Sequence, residues 1–215
     1  LLENGFALLF GAYYFNDSAF YKKAKSILVP ELREQVLGDG GHFERSPMYH
    51  CIMLYRVLDC YNLVYNNTLF GRELEVFLRE KAEAMLGWLR EISYRDGKIP
   101  LLNDAAFGIA PVAKDLMEYG QRLGITCYKK VKLKESGYRK LQFGKFELLM
   151  DVGEVGPDYQ PGHAHADTFS FELYINGRPV IVDTGTSTYE VNDTRFYERS
   201  TAAHNTVVVS GQNSS

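Results

Sequence analysis

The hydrophobic period of this 215-residue chain changes near residue 120, from helical spacing to strand alternation, so its two halves must fold by different rules. In the first half, Leu2 to Phe15 is apolar with small residues interspersed. Ser18 is placed to cap a second helix running to about Val36, ahead of the Gly38-Asp39-Gly40-Gly41 break. Ser46 followed by Pro47 starts a third, because proline at the first helical position forfeits no hydrogen bond. Its apolar groups Met48, Cys51, Ile52, Tyr55, Leu58 and Tyr61 recur at three- and four-residue spacing. A fourth helix, about Glu73 to Ile92, repeats the spacing at Val76, Phe77, Ala84 and Leu89. Short joins predict antiparallel hairpins, and Tyr94 to Gly124, interrupted by Pro100, Pro111 and several glycines, is predicted irregular.

After Gly124 the stretches are short, β-branched and aromatic. Ile125 to Leu133, Arg139 to Gln142 and Lys145 to Val152 are expected strands. Phe169 to Ile175 alternates cleanly, and Asn176-Gly177 turns it into Arg178 to Asp183. A further strand is expected over Asn205 to Val209. Together they predict an antiparallel sheet with one buried face, in a chain divided into 1–120 and 121–215.

Three histidines fall in the last quarter, His163, His165 and His204, together with Asp167 and Asp183. His163 and His165 are two apart, so on an extended backbone they point the same way. The Asn176-Gly177 turn carries Asp183 back toward His165, and His204 can arrive from a neighbouring strand. Two imidazoles and a carboxylate, with water as fourth ligand, suit tetrahedral Zn²⁺, with Asp167 free to orient one of the histidines. The plainer alternative is a polar loop whose histidines hydrogen-bond locally.

A second concentration, Gly41-His42-Phe43-Glu44-Arg45-Ser46-Pro47-Met48-Tyr49-His50, gathers charge, two imidazoles and a phenol at a helix start, which fits a binding rim. Tyr49 lies in the first turn, where unpaired N–H groups favour an anion, and Glu44, Arg45 and His50 are placed to tune it. A capping segment with Tyr49 as a lid on the core is the alternative. In Pro100-Leu-Leu-Asn103-Asp104 a polar pair interrupts an apolar loop, so Asn103 or Asp104 either caps a helix or reaches a site.

Composition removes several classes. A formal charge of −3 supplies no broad basic face for nucleic acid, and the lysines between 129 and 145 are more simply the guard of a strand edge. Three cysteines without CxxC spacing support neither a disulfide framework nor a cysteine zinc site. No uninterrupted apolar run reaches the length of about 18 residues needed to span a membrane. The abrupt start at Leu1, without methionine, leads us to expect a fragment of a larger protein; nothing in the sequence sets an oligomeric state.

The segments 41–50, Pro100 to Asp104, Gly156 to Leu173 (GPDYQPGHAHADTFSFEL) and Ser200 to Val207 (STAAHNTV) resemble the heparinase II/III family of polysaccharide lyases, a group related to alginate lyases. The resemblance covers essentially the whole chain. It implies a multidomain α+β architecture: a partial (α/α) toroid of helical hairpins followed by an antiparallel β-sandwich, with substrate in the cleft between them. It implies that Tyr49 and His163 act in β-elimination on a uronic-acid-containing, anionic polysaccharide, and that His165, Asp183 and His204 hold a supporting zinc. Glu44, Arg45, His50, Asn103, Asp167, Tyr197 and Arg199 are then expected to bind substrate or support these groups. A further catalytic tyrosine of the alginate-lyase relatives has Tyr197 and Tyr189 as its possible counterparts. The group that neutralises the uronate carboxylate is expected upstream of Leu1, and the compartment to be the periplasm or the exterior. Two other classes stay open: a carbohydrate-binding or envelope-assembly protein on the same scaffold without turnover, and a metal-dependent hydrolase using Glu154 or Asp158 as base.

Overall fold

In the computed structural model, residues 1–126, 131–154 and 162–214 are described. An α-helical region is followed by a single antiparallel sheet. Helices α1 (Leu2–Phe15) and α2 (Ser18–Gln35) form one hairpin, and α3 (Pro47–Tyr65) and α4 (Glu73–Ile92) a second. The α1–α2 join is tight because Asn16 takes the left-handed conformation (φ 52°) and Asp17, rather than Ser18, caps α2 by accepting from the N–H groups of Ala19 and Phe20. Gly5 is where α1 meets α2: a Cβ there would stand 2.9 Å from a methyl of Leu28.

The third helix starts as its sequence predicts, with Pro47 in the first turn and the Ser46 hydroxyl accepting from Tyr49 N–H. It buries Met48, Cys51, Leu54, Val57, Leu58 and Tyr61 against Leu74, Leu78, Ala82, Met85 and Leu89 of α4 in one apolar core. Burial of this kind contributes on the order of 25 cal/mol per Å² of apolar surface removed from water and dominates the stability of the half. The stretch from Tyr94 to Gly124 is not wholly irregular. It contains α5 (Ala113–Arg122), which packs Ala113 and Leu116 on α3 and α4; ten residues starting just after Pro111 are too few to declare a helical period.

The sheet is a meander, β1 (Tyr138–Phe143), β2 (Phe146–Asp151), β3 (Phe171–Ile175) and β4 (Arg178–Ile181), in spatial order β1-β2-β3-β4. Asn176 and Gly177, both at positive φ, form the β3–β4 turn. Two expected strands are not seen among the described residues. Ile125, Thr126 and residues 131–133 are not strand, and the middle of that stretch, 127–130, lies outside the described residues. Asn205 to Val209 makes no strand either: Val209 has one isolated bridge to Gln212, and Val207 and Val209 are largely exposed. In its place a short helix α6 (Asp193–Glu198) and a 3-10 turn (Thr201–Ala203) lead to His204.

The buried face of the sheet is the polar one. Glu147, Asp151 and Glu172 are buried there with Leu149, Tyr138 and Tyr174. Glu172 accepts from Tyr94 Oη at 2.8 Å and from the N–H groups of Leu101 (2.9 Å) and Asp183 (3.2 Å), Glu147 accepts from Arg95 N–H, and the Tyr94 and Tyr174 rings stack at 3.7 Å. These carboxylates satisfy a loop, residues 94–104, that has no ladder of its own, and so fix it between helices and sheet. The other face carries Leu141, Leu148, Leu173 and Ile181 in one row across all four strands, and Phe143, Phe146 and Ile175 in the next. Leu141 and Phe143 are 58% and 85% exposed.

Candidate active site

Four pieces of chain converge at the seam: the start of α3, the loop at Asn103-Asp104, the segment 162–170 leading into β3, and the segment 183–204 after β4. The ring of Tyr49, held in the first turn of α3, lies 4.3 Å from the ring of His163. Its hydroxyl donates to Tyr189 Oη at 3.1 Å, and the Arg195 guanidinium lies 5.1 Å from the centre of the Tyr189 ring. Burial raises the pKa of Tyr189.

His163 is partly exposed. Its Nδ1 is 2.8 Å from Asp104 Oδ2, which raises the pKa of the imidazole, and its Nε2 is 3.9 Å from Glu44 Oε2. Asp104 is fully buried and also receives His165 Nε2 (2.8 Å), Thr186 Oγ1 (2.8 Å) and both terminal nitrogens of Arg195. Burial alone would raise its carboxyl, but the bonds from His163, His165, Arg195 and Thr186 outweigh that and hold it far below the usual carboxylate range.

The expected metal residues stand near one another without forming a closed set. His204 Nδ1 is 2.9 Å and 3.0 Å from the two oxygens of Asp183, which also accept from Ser170 Oγ and Gly185 N–H, and the His165 and His204 rings are 5.2 Å apart. Asp183 makes its contact with His204, not with His165. Among the described residues, three ligand-type atoms in this region are buried without a hydrogen-bond partner: His165 Nδ1, His204 Nε2 and Asp167 Oδ2. Burial and the charge of Asp151 push the Asp167 carboxyl up to about 8, and burial lowers the His165 imidazole. Among the described residues no group of three or more His, Cys, Asp or Glu side chains is gathered to hold an ion. Imidazole nitrogen and carboxylate oxygen are donor types that zinc takes, and His42 and His50 also have buried ring nitrogens without a partner among the described residues.

The other expected residues divide. Glu44, Arg45, Asn103 and Asp167 line one narrow recess with Asp151, Glu154 and Thr168. Arg45 and Asn103 both hold φ of 57°, a left-handed conformation that non-glycine residues adopt at a cost. Asn103 Oδ1 accepts from His165 N–H, its Nδ2 donates to Asp151, and the Arg45 carbonyl accepts from Tyr138 Oη. Arg199 grips the carbonyl of Ala164, between the two histidines, through Nε (3.2 Å) and Nη2 (3.0 Å), so it shapes the loop. Tyr197 is 57% exposed on α6. His50 is not on a rim: it is fully buried in the helical core, with Nε2 3.1 Å from the Met85 carbonyl and its ring 4.3 Å from that of Trp88. Thr186 and Arg195 were not legible beforehand, because they belong to no motif and no period. Asp158 lies outside the described residues.

No helix among the described residues is long and apolar enough to cross a membrane. Comparison with known proteins places these observations in a family. The family models described as Heparinase II/III N-terminus and Heparinase II/III-like, C-terminal match residues 14–121 and 128–215. A heparin-sulfate lyase of Bacteroides stercoris is 26% identical over 231 aligned positions, covering 94% of this chain and 34% of that protein. One of Pedobacter heparinus is 27% identical over 225, covering 93% and 33%. The chain thus spans about a third of the length of the curated relatives it matches. A crystal structure of heparinase III superposes with a TM-score of 0.83 at 21% identity, covering 99% of this chain and 39% of that one. The heparan sulfate lyase HepC from Pedobacter heparinus superposes with 0.73 at 23%, covering 99% and 36%. At such identity the superpositions show a shared fold. With one family model covering most of the helical region and the other the sheet and its loops, the chain belongs to the heparinase II/III family.

Proposed function

We propose that this chain carries part of the active site of a polysaccharide lyase that cleaves a uronic-acid-containing polysaccharide by β-elimination, with heparan-sulfate-type chains as the first substrates to try. The observation that carries the reading is the approach of Tyr49 to His163 across the seam between helices and sheet, with one face of His163 tied down by Asp104. Such a lyase removes the proton at C5 of the uronic acid and expels the C4 oxygen, leaving a C4–C5 double bond. Tyr49 transfers the proton at the bond being broken. His163, whose Nδ1 is engaged by Asp104, offers Nε2 as partner base or as a donor to the developing charge.

Zinc belongs to the same proposal. His165 and His204 would hold it with a carboxylate, Asp183 or Asp167, and its charge would order the loop that bears His163. What supports this is the pair of buried, partnerless imidazole nitrogens and the carboxylate behind His165, an arrangement typical of metal-ligating histidines.

We also propose that the hairpins of residues 1–120 are part of an incomplete toroid, and that the sheet of residues 121–215 is one layer of a sandwich. The row of apolar side chains on its outer face is what a second layer would cover. A polymeric anionic substrate makes the periplasm or the exterior the expected compartment. The test of the site is Tyr49→Phe in the full-length protein. It removes one oxygen and should lower formation of the ultraviolet-absorbing product by at least about 100-fold; unaltered product formation would remove Tyr49 from the mechanism.

A further inference from the structure

We propose that Asp104 is the positioning residue of this site, a single buried carboxylate that sets the His163 ring against Tyr49 and selects which imidazole nitrogen is left for substrate. The inference rests on the lyase reading for its kinetic consequence, but its geometry stands independently.

Asp104 touches every piece of the seam. Its backbone N–H donates to the His163 carbonyl at 3.2 Å, and its own carbonyl accepts from Ser46 Oγ at 2.6 Å. That hydroxyl in turn accepts from Tyr49 N–H at 3.2 Å, so one residue joins the cap of the tyrosine's helix to the histidine loop. Its side chain takes His163 Nδ1 on Oδ2 and His165 Nε2 on Oδ1, while Arg195 bonds both oxygens and Thr186 adds a fifth contact. A carboxylate can only accept, so the neutral His163 ring must carry its hydrogen on Nδ1, leaving the lone pair on Nε2. The paired guanidinium keeps a fully buried charge compensated. Asp104 has no exposed atom with which to meet substrate, so its effect passes through His163. Asn103 beside it, strained at φ 57° and bonded to His165 N–H, holds the carboxylate at this depth.

The experiment compares the full-length parent with Asp104→Asn and with the double variant Asp104→Asn/Arg195→Gln, which removes both charges of the buried pair and so avoids leaving one alone. Two readouts are taken. The first is kcat and KM for elimination; the expectation is a kcat lower by roughly 10- to 100-fold with KM changed far less, as for other groups that orient a functional histidine. The second is the ¹⁵N spectrum of the His163 ring, assigned with His163→Gln, at a pH where the ring is neutral. It should report Nδ1–H in the parent and lose that preference in the variants. A folded variant with parental kcat and an unaltered His163 tautomer overturns the proposal. If the parent itself shows no elimination, the lyase reading fails, and the tautomer alone then decides: a shift upholds Asp104 as the positioning residue and no shift refutes it.

Discussion

Ser46 donates its hydroxyl hydrogen to the carbonyl of Asp104 at 2.6 Å while accepting the N–H of Tyr49 at 3.2 Å. Ser46 is fully buried, so these two bonds tie the start of α3 to the loop that holds both histidines. Ser46→Ala removes a helix cap worth about 1 kcal/mol and leaves a buried carbonyl unpaired at a cost of about 1 to 3 kcal/mol. The variant should therefore lose about 2 to 4 kcal/mol by urea unfolding and turn over more slowly than the parent. A parental unfolding midpoint would show that the hydroxyl has no part in joining the two halves.

Acid should weaken the helical half through two imidazoles. His42 and His50 are buried, and desolvation lowers both pKa values to about 3; His42 also faces His50, His163 and Glu44, and His50 faces Asp39 and the Met85 carbonyl. The unfolded chain takes up these two protons near pH 6.5, while the folded chain refuses them until about pH 3. The unfolded state thus binds more protons throughout that window. Stability from this source is complete above about pH 6.5 and is lost as pH falls toward 3, by up to about 1.4 kcal/mol per pH unit for each ring. His50→Gln, whose amide can donate to the Met85 carbonyl, should reduce that slope by about 1 kcal/mol per pH unit in urea titrations between about pH 7 and pH 5. An unchanged slope would mean that His50 is not buried as described.

Metal analysis separates the two aspartates. After equilibration with trace zinc, the full-length protein should retain about one zinc per chain, and His165→Ala or His204→Ala should abolish it. Of Asp183→Asn and Asp167→Asn, the one that removes a ligand should lower zinc occupancy further than the one that removes an orienting group. Full occupancy in both histidine variants would exclude this site.

The long elements were legible in the sequence because each repeats its signal: α1 and α4 have their expected bounds, α3 has its expected start, and Asn176-Gly177 turns β3 into β4. Where the signal was short or ambiguous, tertiary context decided. Asp17 displaced Ser18 as cap because its carboxylate reaches two N–H groups, and the valines at 207–209 have strand propensity but, apart from the Val209–Gln212 bridge, pair with no strand among the described residues. Tyr49, His163, His165, Asp183 and His204 stood out by type and spacing. Asp104 was visible only as half of a polar pair in an apolar loop, with no hint that it would meet His163 across 59 residues. Thr186 and Arg195 became meaningful only once the chain had brought them to Asp104. Burial misled at His50: a histidine beside Tyr49, at a charged helix start, suggested a rim, whereas the helical phase turns it toward Trp88.

The central claim is that this fold performs elimination, and the chemistry of the chain ends it produces tests that most directly. The full-length protein would be incubated with heparan sulfate, heparin, alginate and bacterial uronate polysaccharides, with ultraviolet absorbance and new reducing ends recorded together. The account predicts that at least one polymer yields an absorbing C4–C5 unsaturated end for each new reducing end, and that Tyr49→Phe yields neither. New reducing ends without absorbance, or binding with no cleavage of any polymer, would contradict it.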